Sequence, residues 1–268
     1  MAKSKFSVII PTLNEEKLLP HLLQDLQNQD FTDFEVIVAD AGSKDKTVQI
    51  AKRFGAKVVK GGIPSVGRNA GARAATGEYL IFIDADTRIP RDFLKTLAEL
   101  FNTKEYDIIL MPVTFKKFSY ENYGAIANLA SKIVGPLMTA FYTSMRIFKK
   151  PFLGVGIMSI RRDLFEKLNG FDKSLTYGED RDLIKRAQAQ GAKLGFFPYN
   201  LTTSARRAAT PRAIFGGLAL LVPIAAGAWA ISKLLKKPHL QSKLIDKGMS
   251  KFYGKLGGDQ AGRGGEKG

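Results

Sequence analysis

The sequence predicts an α/β protein: a mostly parallel sheet with helices on both faces, followed by a C-terminal membrane-associated helical segment. Three observations predict it. Over the first 115 residues, continuous apolar runs alternate with segments of helical period, and strands apolar along their whole length belong to parallel sheets buried on both faces. Two of those runs, "FEVIVAD" and "EYLIFIDAD", end in acids, Asp40 and the pair Asp84 and Asp86. These are strand carboxyl ends, where sheets of this kind bind ligands. Finally, Ala213 to Ser232 is a stretch of 20 residues without a charge, the length needed to cross a bilayer.

The elements follow in order. "FSVIIP" reads as a buried strand and "NEEKLLPHLLQDLQNQ" as a helix capped near Asn14. "FEVIVAD" is a strand, "SKDKTVQIAKRFG" a helix stopped at Gly55, "KVV" a short strand and "SVGRNAGARAA" a helix. "EYLIFIDAD" is a strand, "PRDFLKTLAELF" a helix with Pro90 in its first turn, and "YDIILMPVTF" another strand. Residues 121–148 carry an apolar stripe at helical spacing from Ile126 to Phe148, which fits a helix packed on the core or one in contact with a membrane. "FLGVGIMSIRRDLFEKLNGFD" gives strand, helix and glycine stop. "GEDRDLIKRAQAQG" gives a helix with acids in its first turn, where the helix dipole favours them, and "KLGFFP" a last strand.

This order divides the chain into an α/β domain over residues 1–205, a hydrophobic segment over 206–237, and a basic amphipathic helix with a glycine-rich tail over 238–268. Lys243, Lys247, Lys251 and Lys255 recur every four residues, a pattern suited to an anionic membrane surface. The formal net charge is +16, and from Leu201 onward 12 Lys and Arg stand against 3 Asp and Glu. The apolar stretch has arginines before it and lysines after it. A single span with a cytosolic α/β domain places the basic tail outside, against the positive-inside tendency. A re-entrant segment bent at Pro223 keeps both ends on one side.

Several chemistries are excluded. There is no cysteine, hence no disulfide, thiolate metal site or cysteine nucleophile. Two histidines, His21 and His239, are too few for a multi-histidine metal centre. The turn "PTLNEE" lacks the glycines of a dinucleotide-binding loop, and no Walker loop occurs. No RNA- or DNA-binding motif is present, so nucleic acid is not the expected partner. The N-terminal apolar run is too short for a secretion signal, which places the domain on the cytoplasmic face.

Two hard carboxylates at a strand end suit Mg2+ or Mn2+, which leave coordination positions for phosphate oxygens. A cation there would hold a diphosphate as it leaves.

Four blocks in order carry a resemblance: "VIIPTLNEE", "VIVADAGSKDKT", "GRNAGARAATGEYLIFIDADTRIP" and "GVGIMSIRRDLFEKLNGFDKSLTYGEDRDLIKRA". Together they span nearly all of residues 7–187, and the sequence resembles a family 2 glycosyltransferase of the GT-A fold. The resemblance implies transfer of a sugar from a nucleotide-diphosphate sugar, usually with inversion, with Mn2+ or Mg2+ on the Asp-x-Asp motif. By position, Pro11, Thr12, Asn14 and Glu15 line the nucleoside pocket. Asp40, with Gly42 and Ser43 beside it, takes a base or ribose contact, and Arg68 and Asn69 sit near the nucleotide. Asp84 and Ala85 lie by the ribose, with Asp84 also near the metal, and Asp86 ligates the metal. Asp180 is the general base and Glu179 its neighbour. Gly154 and Gly156 admit the sugar or acceptor to the backbone. Arg206 and Arg207 either clamp the diphosphate or mark the membrane boundary.

The Gln-x-x-Arg-Trp motif of processive synthases is missing, which favours transfer of a single sugar. The apolar segment favours a lipid-linked or membrane-proximal glycan acceptor. The alternatives are a non-catalytic sugar-nucleotide-binding or scaffold protein of the same fold, which the intact acids disfavour, and a nucleotidyltransferase, which the acidic, glycine-poor first loop disfavours.

Overall fold

The computed structural model describes residues 5–116, 157–175 and 178–205, together with Phe118 and a few positions between 136 and 147. The chain divides into two compact units, one of residues 1–114 and 141–203, the other of residues 115–140 and 204–268. The second falls almost entirely outside the described residues, as do the predicted helix over 121–148 and everything from 206 onward.

The first unit is built on a seven-stranded sheet. In chain order its strands are β1 (Phe6–Thr12), β2 (Phe34–Asp40), β3 (Lys57–Lys60), β4 (Tyr79–Phe82), β6 (Ile108–Leu110), β8 (Met158–Arg161) and β9 (Leu194–Phe196). Their spatial order is β3-β2-β1-β4-β8-β6-β9. A smaller sheet joins β5 (Thr87–Arg88), β10 (Leu201–Ser204) and β7 (Val113–Lys116), with β10 in the middle. The helices are α1 (Leu19–Gln27), α2 (Thr47–Arg53), α3 (Pro64–Ala74), α4 (Phe93–Lys104), α5 (Arg162–Lys167) and α6 (Glu179–Ala189).

The parallel half is as predicted. β1 pairs in parallel with β2 and β4, and β2 with β3. Val8, Ile9 and Ile10 are fully buried, as are Leu80, Ile81 and Phe82, which is why these strands read as unbroken apolar runs. Helix α3 lies close on β1: a side-chain carbon at Gly71 would stand 2.4 Å from Ile9 Cγ2, so only glycine admits that approach.

Elsewhere the structure corrects the sequence reading. β8 runs antiparallel to both β4 and β6, so the sheet is mixed beyond β4. The run 106–115 splits into β6 and β7 at Pro112, whose nitrogen has no hydrogen for a ladder. The first helix starts at Leu19, not near Asn14: Asn14 has φ +56° and its side-chain oxygen accepts from the Lys44 N–H at 2.9 Å. Pro90 precedes α4 instead of sitting in its first turn. "KLGFFP" is not the last strand, because Leu201–Ser204 follows it.

Candidate functional site

Thr12 and Asp40 face one another at the last register position of β1 and β2. The Asp40 carboxylate accepts from Thr12 Oγ1 at 3.1 Å, Ser43 Oγ at 2.5 Å, and the N–H groups of Gly42 and Ser43 at 3.0 and 2.9 Å. Burial acts to raise its pKa. The hydrogen bonds from Ser43, Gly42 and Thr12 outweigh it and hold the carboxyl below the usual range. Asp40 therefore organises its own loop. The loop after β1 is stitched to the loop after β2: Asn14 N–H donates to Ser43 Oγ, Glu15 N–H to Thr47 Oγ1, and Glu16 N–H to Asp45. The blocks "PTLNEE" and "DAGSKDKT", 30 residues apart, thus form one hydrogen-bonded rim. Pro11 lies within β1, paired with Ala39. Beside this rim a cavity of about 350 Å3 opens between Asp40, Gly42, Val58, Lys60 and Gly61.

The acids meet on the other side of α3. Arg68, 4% exposed, projects from the middle of α3 and forks between two elements. One terminal nitrogen bonds Glu179 at the start of α6, and the other bonds Asp84 Oδ1, just beyond β4, at 3.0 Å. Burial alone would lower its pKa, but Asp84, Glu179 and Asp180 reverse that effect and keep it charged. Phe171 packs its ring 5.7 Å from the guanidinium carbon.

Gly178, at φ +76°, turns the chain into α6 so that Glu179 and Asp180 enter as buried first-turn acids. Burial pushes the Glu179 carboxyl up. Asp180 adds to that, while Arg68 opposes it. Asp180 Oδ1 accepts from the Arg181 N–H at 2.8 Å. Asn69, next to Arg68, commits its amide to the backbone of Phe171: Nδ2 donates to the carbonyl at 2.8 Å and Oδ1 accepts from the N–H at 2.9 Å. These two bonds tie α3 to the segment after α5.

Asp86 is 7% exposed and accepts from Thr203 Oγ1 at 3.1 Å. The next two residues form β5, which pairs antiparallel with β10, Thr87 opposite Thr203 and Arg88 opposite Thr202. Helix α1 grips the far end of this loop. Asp25 accepts both Nε and a terminal nitrogen of Arg88 at 2.6 Å, and the Ile89 N–H at 3.2 Å. Ala85, between the two predicted metal acids, is buried.

Among the described residues no group of three or more acidic or histidine side chains is arranged to hold a cation unaided. Mg2+ and Mn2+ need no such cage, since one or two carboxylates plus substrate phosphates suffice. Asp84 and Asp86 supply that number. Asp84, Glu179 and Asp180 gather around Arg68, and Asp86 lies two residues beyond Asp84.

The structure thus brings Arg68, Asp84, Glu179 and Asp180 together, and Thr12, Asp40, Gly42 and Ser43 together. Gly154, Gly156, Arg206 and Arg207 lie outside the described residues. Sequence reasoning missed Thr203 and Asp25, whose partners are 117 and 63 residues away and whose local patterns carry no mark of them. Among the described residues no helix is long and apolar enough to cross a membrane, and residues 213–232 are not among them.

A family model described as glycosyl transferase family 2 matches residues 7–168, and one described as the N-terminal domain of galactosyltransferase matches residues 136–208. The chain is 38% identical over 117 residues to the poly(ribitol-phosphate) beta-N-acetylglucosaminyltransferase TarS of Staphylococcus aureus, a match covering 40% of this chain and 20% of that protein. It is 36% identical over 108 residues to the GalNAc(5)-diNAcBac-PP-undecaprenol beta-1,3-glucosyltransferase of Campylobacter jejuni, covering 37% of this chain and 35% of that one. The matches thus take in about a third or less of those relatives' own length. In structure, TarS 1–349 of S. aureus in complex with UDP-GlcNAc is similar at TM-score 0.58 and 22% identity, over 91% of this chain and 71% of that one. The mannosyltransferase PcManGT of Pyrobaculum calidifontis, in complex with GDP-Man and Mn2+, is similar at TM-score 0.60 and 18% identity, over 100% of this chain and 77% of that one. At those identities the structural likeness speaks for the fold, a mixed α/β GT-A-like fold with a mostly parallel central sheet. The family match spans more than half of the sequence, and the chain belongs to glycosyl transferase family 2.

Proposed function

We propose that the protein is a metal-assisted inverting glycosyltransferase that moves a single sugar from a UDP- or GDP-sugar to a lipid-linked or membrane-proximal acceptor. The main support is the contact of Arg68 with Asp84, just beyond β4, and with Glu179 at the start of α6, which brings the Asp-x-Asp segment beside the first-turn acids Glu179 and Asp180. Inverting transfer needs this division of labour, a diphosphate-holding side and a base on the opposite face of the sugar. TarS with UDP-GlcNAc and PcManGT with GDP-Man and Mn2+ are precedents for the donor class and the ion in this fold.

In this reading the rim of Thr12, Asn14, Glu15 and Asp40 receives the nucleoside. Asp86, with Asp84, holds the divalent ion, which when bound offsets the charge on the departing diphosphate. The Asp180 carboxylate takes the proton of an acceptor hydroxyl. That oxygen bonds to the anomeric carbon as the carbon's bond to the diphosphate oxygen breaks. A phosphate acceptor is already ionised and needs no base, so Asp180→Asn separates the two acceptor classes. A drop in turnover of roughly 100-fold or more fits a hydroxyl, and near-full turnover fits a phosphate. Gly154 and Gly156 are assigned to the sugar or acceptor, and Arg206 and Arg207 either to the diphosphate or to the membrane boundary. Residues 1–205 form the catalytic domain. Residues 206–237 and the basic 238–268 associate with the membrane, catalytic domain on the cytoplasmic face, as a single span or a re-entrant segment. A lipid-linked acceptor, as the name of the C. jejuni relative indicates for that enzyme, gives the apolar segment a purpose.

The test is thermal unfolding of the full chain with UDP, GDP, CDP and dTDP, each with and without Mn2+, repeated on Asp86→Ala. A ligand at about 100 times its dissociation constant stabilises by roughly 2.7 kcal/mol. One nucleotide stabilising only with metal, and losing that effect in Asp86→Ala, is the expected result. No stabilisation by any nucleotide would favour the non-catalytic scaffold.

A further inference from the structure

We infer that Thr203 is a positioning residue for Asp86, holding its carboxylate in the orientation the divalent ion requires. The inference rests on the metal-assisted reading above. Thr203 and Asp86 are 117 residues apart in sequence, on different elements, and both are buried, at 8% and 7% exposure. Strand β10 fixes where Thr203 stands: its backbone pairs with β5, and Thr203 is opposite Thr87, the neighbour of Asp86. A β-branched side chain has few χ1 choices, so the ladder that fixes the backbone also aims the hydroxyl. That hydroxyl donates to Asp86 Oδ1 at 3.1 Å. A carboxylate with one oxygen held this way has lost most of its freedom to rotate, and its remaining lone pairs point in set directions. Ligand carboxylates are commonly fixed by such outer partners.

The geometry also gives the second sheet a purpose. Strand β5 is two residues long and would not persist alone. It is held on one side by β10 and at its end by the Asp25 pair with Arg88. Both restraints act on the segment that carries Asp86. Thr203 donates to the carboxylate itself, which makes it the residue to test.

The experiment titrates Mn2+ into the full-length protein in the presence of UDP, and separately of GDP, counting free Mn2+ by electron paramagnetic resonance. Wild type, Thr203→Val, Thr203→Ser and Asp86→Ala are compared, with melting temperatures in metal-free buffer. Thr203→Val keeps the shape and removes the donor, and is expected to weaken Mn2+ binding by roughly 10-fold or more, whereas Thr203→Ser keeps the donor and stays within about three-fold of wild type. Wild-type affinity in Thr203→Val overturns the inference and leaves the metal reading standing. Equal loss in the serine variant also overturns it, because the methyl group rather than the hydroxyl is then responsible. A lowered metal-free melting temperature in Thr203→Val with unchanged Mn2+ affinity assigns the hydroxyl a purely structural part and overturns it too. Absence of Mn2+ binding to wild type with either nucleotide removes the metal reading itself, and this inference with it.

Discussion

Arg68, itself buried, joins two carboxylates that come from different elements. Asp84 arrives at the end of β4 and Glu179 at the start of α6, and the guanidinium fork joins them. Removing one partner of a buried ion pair costs more than the pair contributes, because the remaining charge is stranded. Arg68→Met is therefore expected to destabilise by about 3–5 kcal/mol, read as a lowered urea midpoint. Adding Glu179→Gln should restore part of that loss, since it removes one stranded charge. A midpoint unchanged in Arg68→Met would show that the fork carries no stability. Asp40 presents the opposite sign of shift. Its folded pKa is lowered, so its contribution is present above the unfolded value of 3.8 and is lost as pH falls through the folded one. Asp40→Asn should cost about 1.5 kcal/mol at pH 7, the low end for hydrogen bonds to a charged group. The gap to wild type should narrow as pH drops below 3.8, where wild type sheds the same interactions. A gap independent of pH between 3 and 7 would mean that shape, not charge, is what Asp40 supplies.

At the scale of elements, the contact of α3 with β1 decides where Arg68 stands. Gly71→Ala places a methyl against Ile9 and is expected to destabilise by about 1–3 kcal/mol through overpacking, measured by denaturant unfolding. Because the shift moves α3, it should also lower nucleotide-dependent stabilisation, which a substitution on the exposed face, such as Arg73→Lys, should leave in place. The strands of the parallel half were legible because burial on both faces leaves an unbroken apolar run. Asp84 and Asp86 stood out because ligands gather where such strands end, whereas Glu179 and Asp180 were assigned through the family resemblance; the structure sets Asp84, Glu179 and Asp180 around Arg68. Helix starts were less so: Asn14 satisfies a capping pattern, yet its side chain is spent on Lys44 across the rim. The reversal of β8 left no mark, since a strand buried on both faces has the same composition in either direction. β10 escaped because "LTTS" has neither an apolar run nor clean alternation, and the partners that make it a strand, β5 and β7, lie far earlier in the chain. Asn69 was assigned by position in a motif, while its two bonds to Phe171 depend on a fold the motif does not encode.

For the whole molecule the open question is how charge and apolar length combine at a membrane. From Leu201 onward the excess of basic residues is 9, and it brackets 20 uncharged residues. Two kinds of attachment follow, and salt separates them. Lysines near an anionic leaflet contribute about 1 kcal/mol each and lose that contribution when the screening length falls to about 3 Å in 1 M salt. An inserted apolar segment is held by burial, which salt does not weaken. The full chain is therefore expected to co-sediment with vesicles containing phosphatidylserine at 0.1 M salt and to remain bound in 1 M salt. With purely zwitterionic vesicles it should bind more weakly at low salt, by the electrostatic share alone. Release in 1 M salt would mean that the segment over 213–232 does not insert and that the basic face alone docks the enzyme. Failure to bind either vesicle would remove the membrane from the proposal and turn the search for an acceptor toward soluble glycans, with the acid cluster and its donor chemistry unaffected.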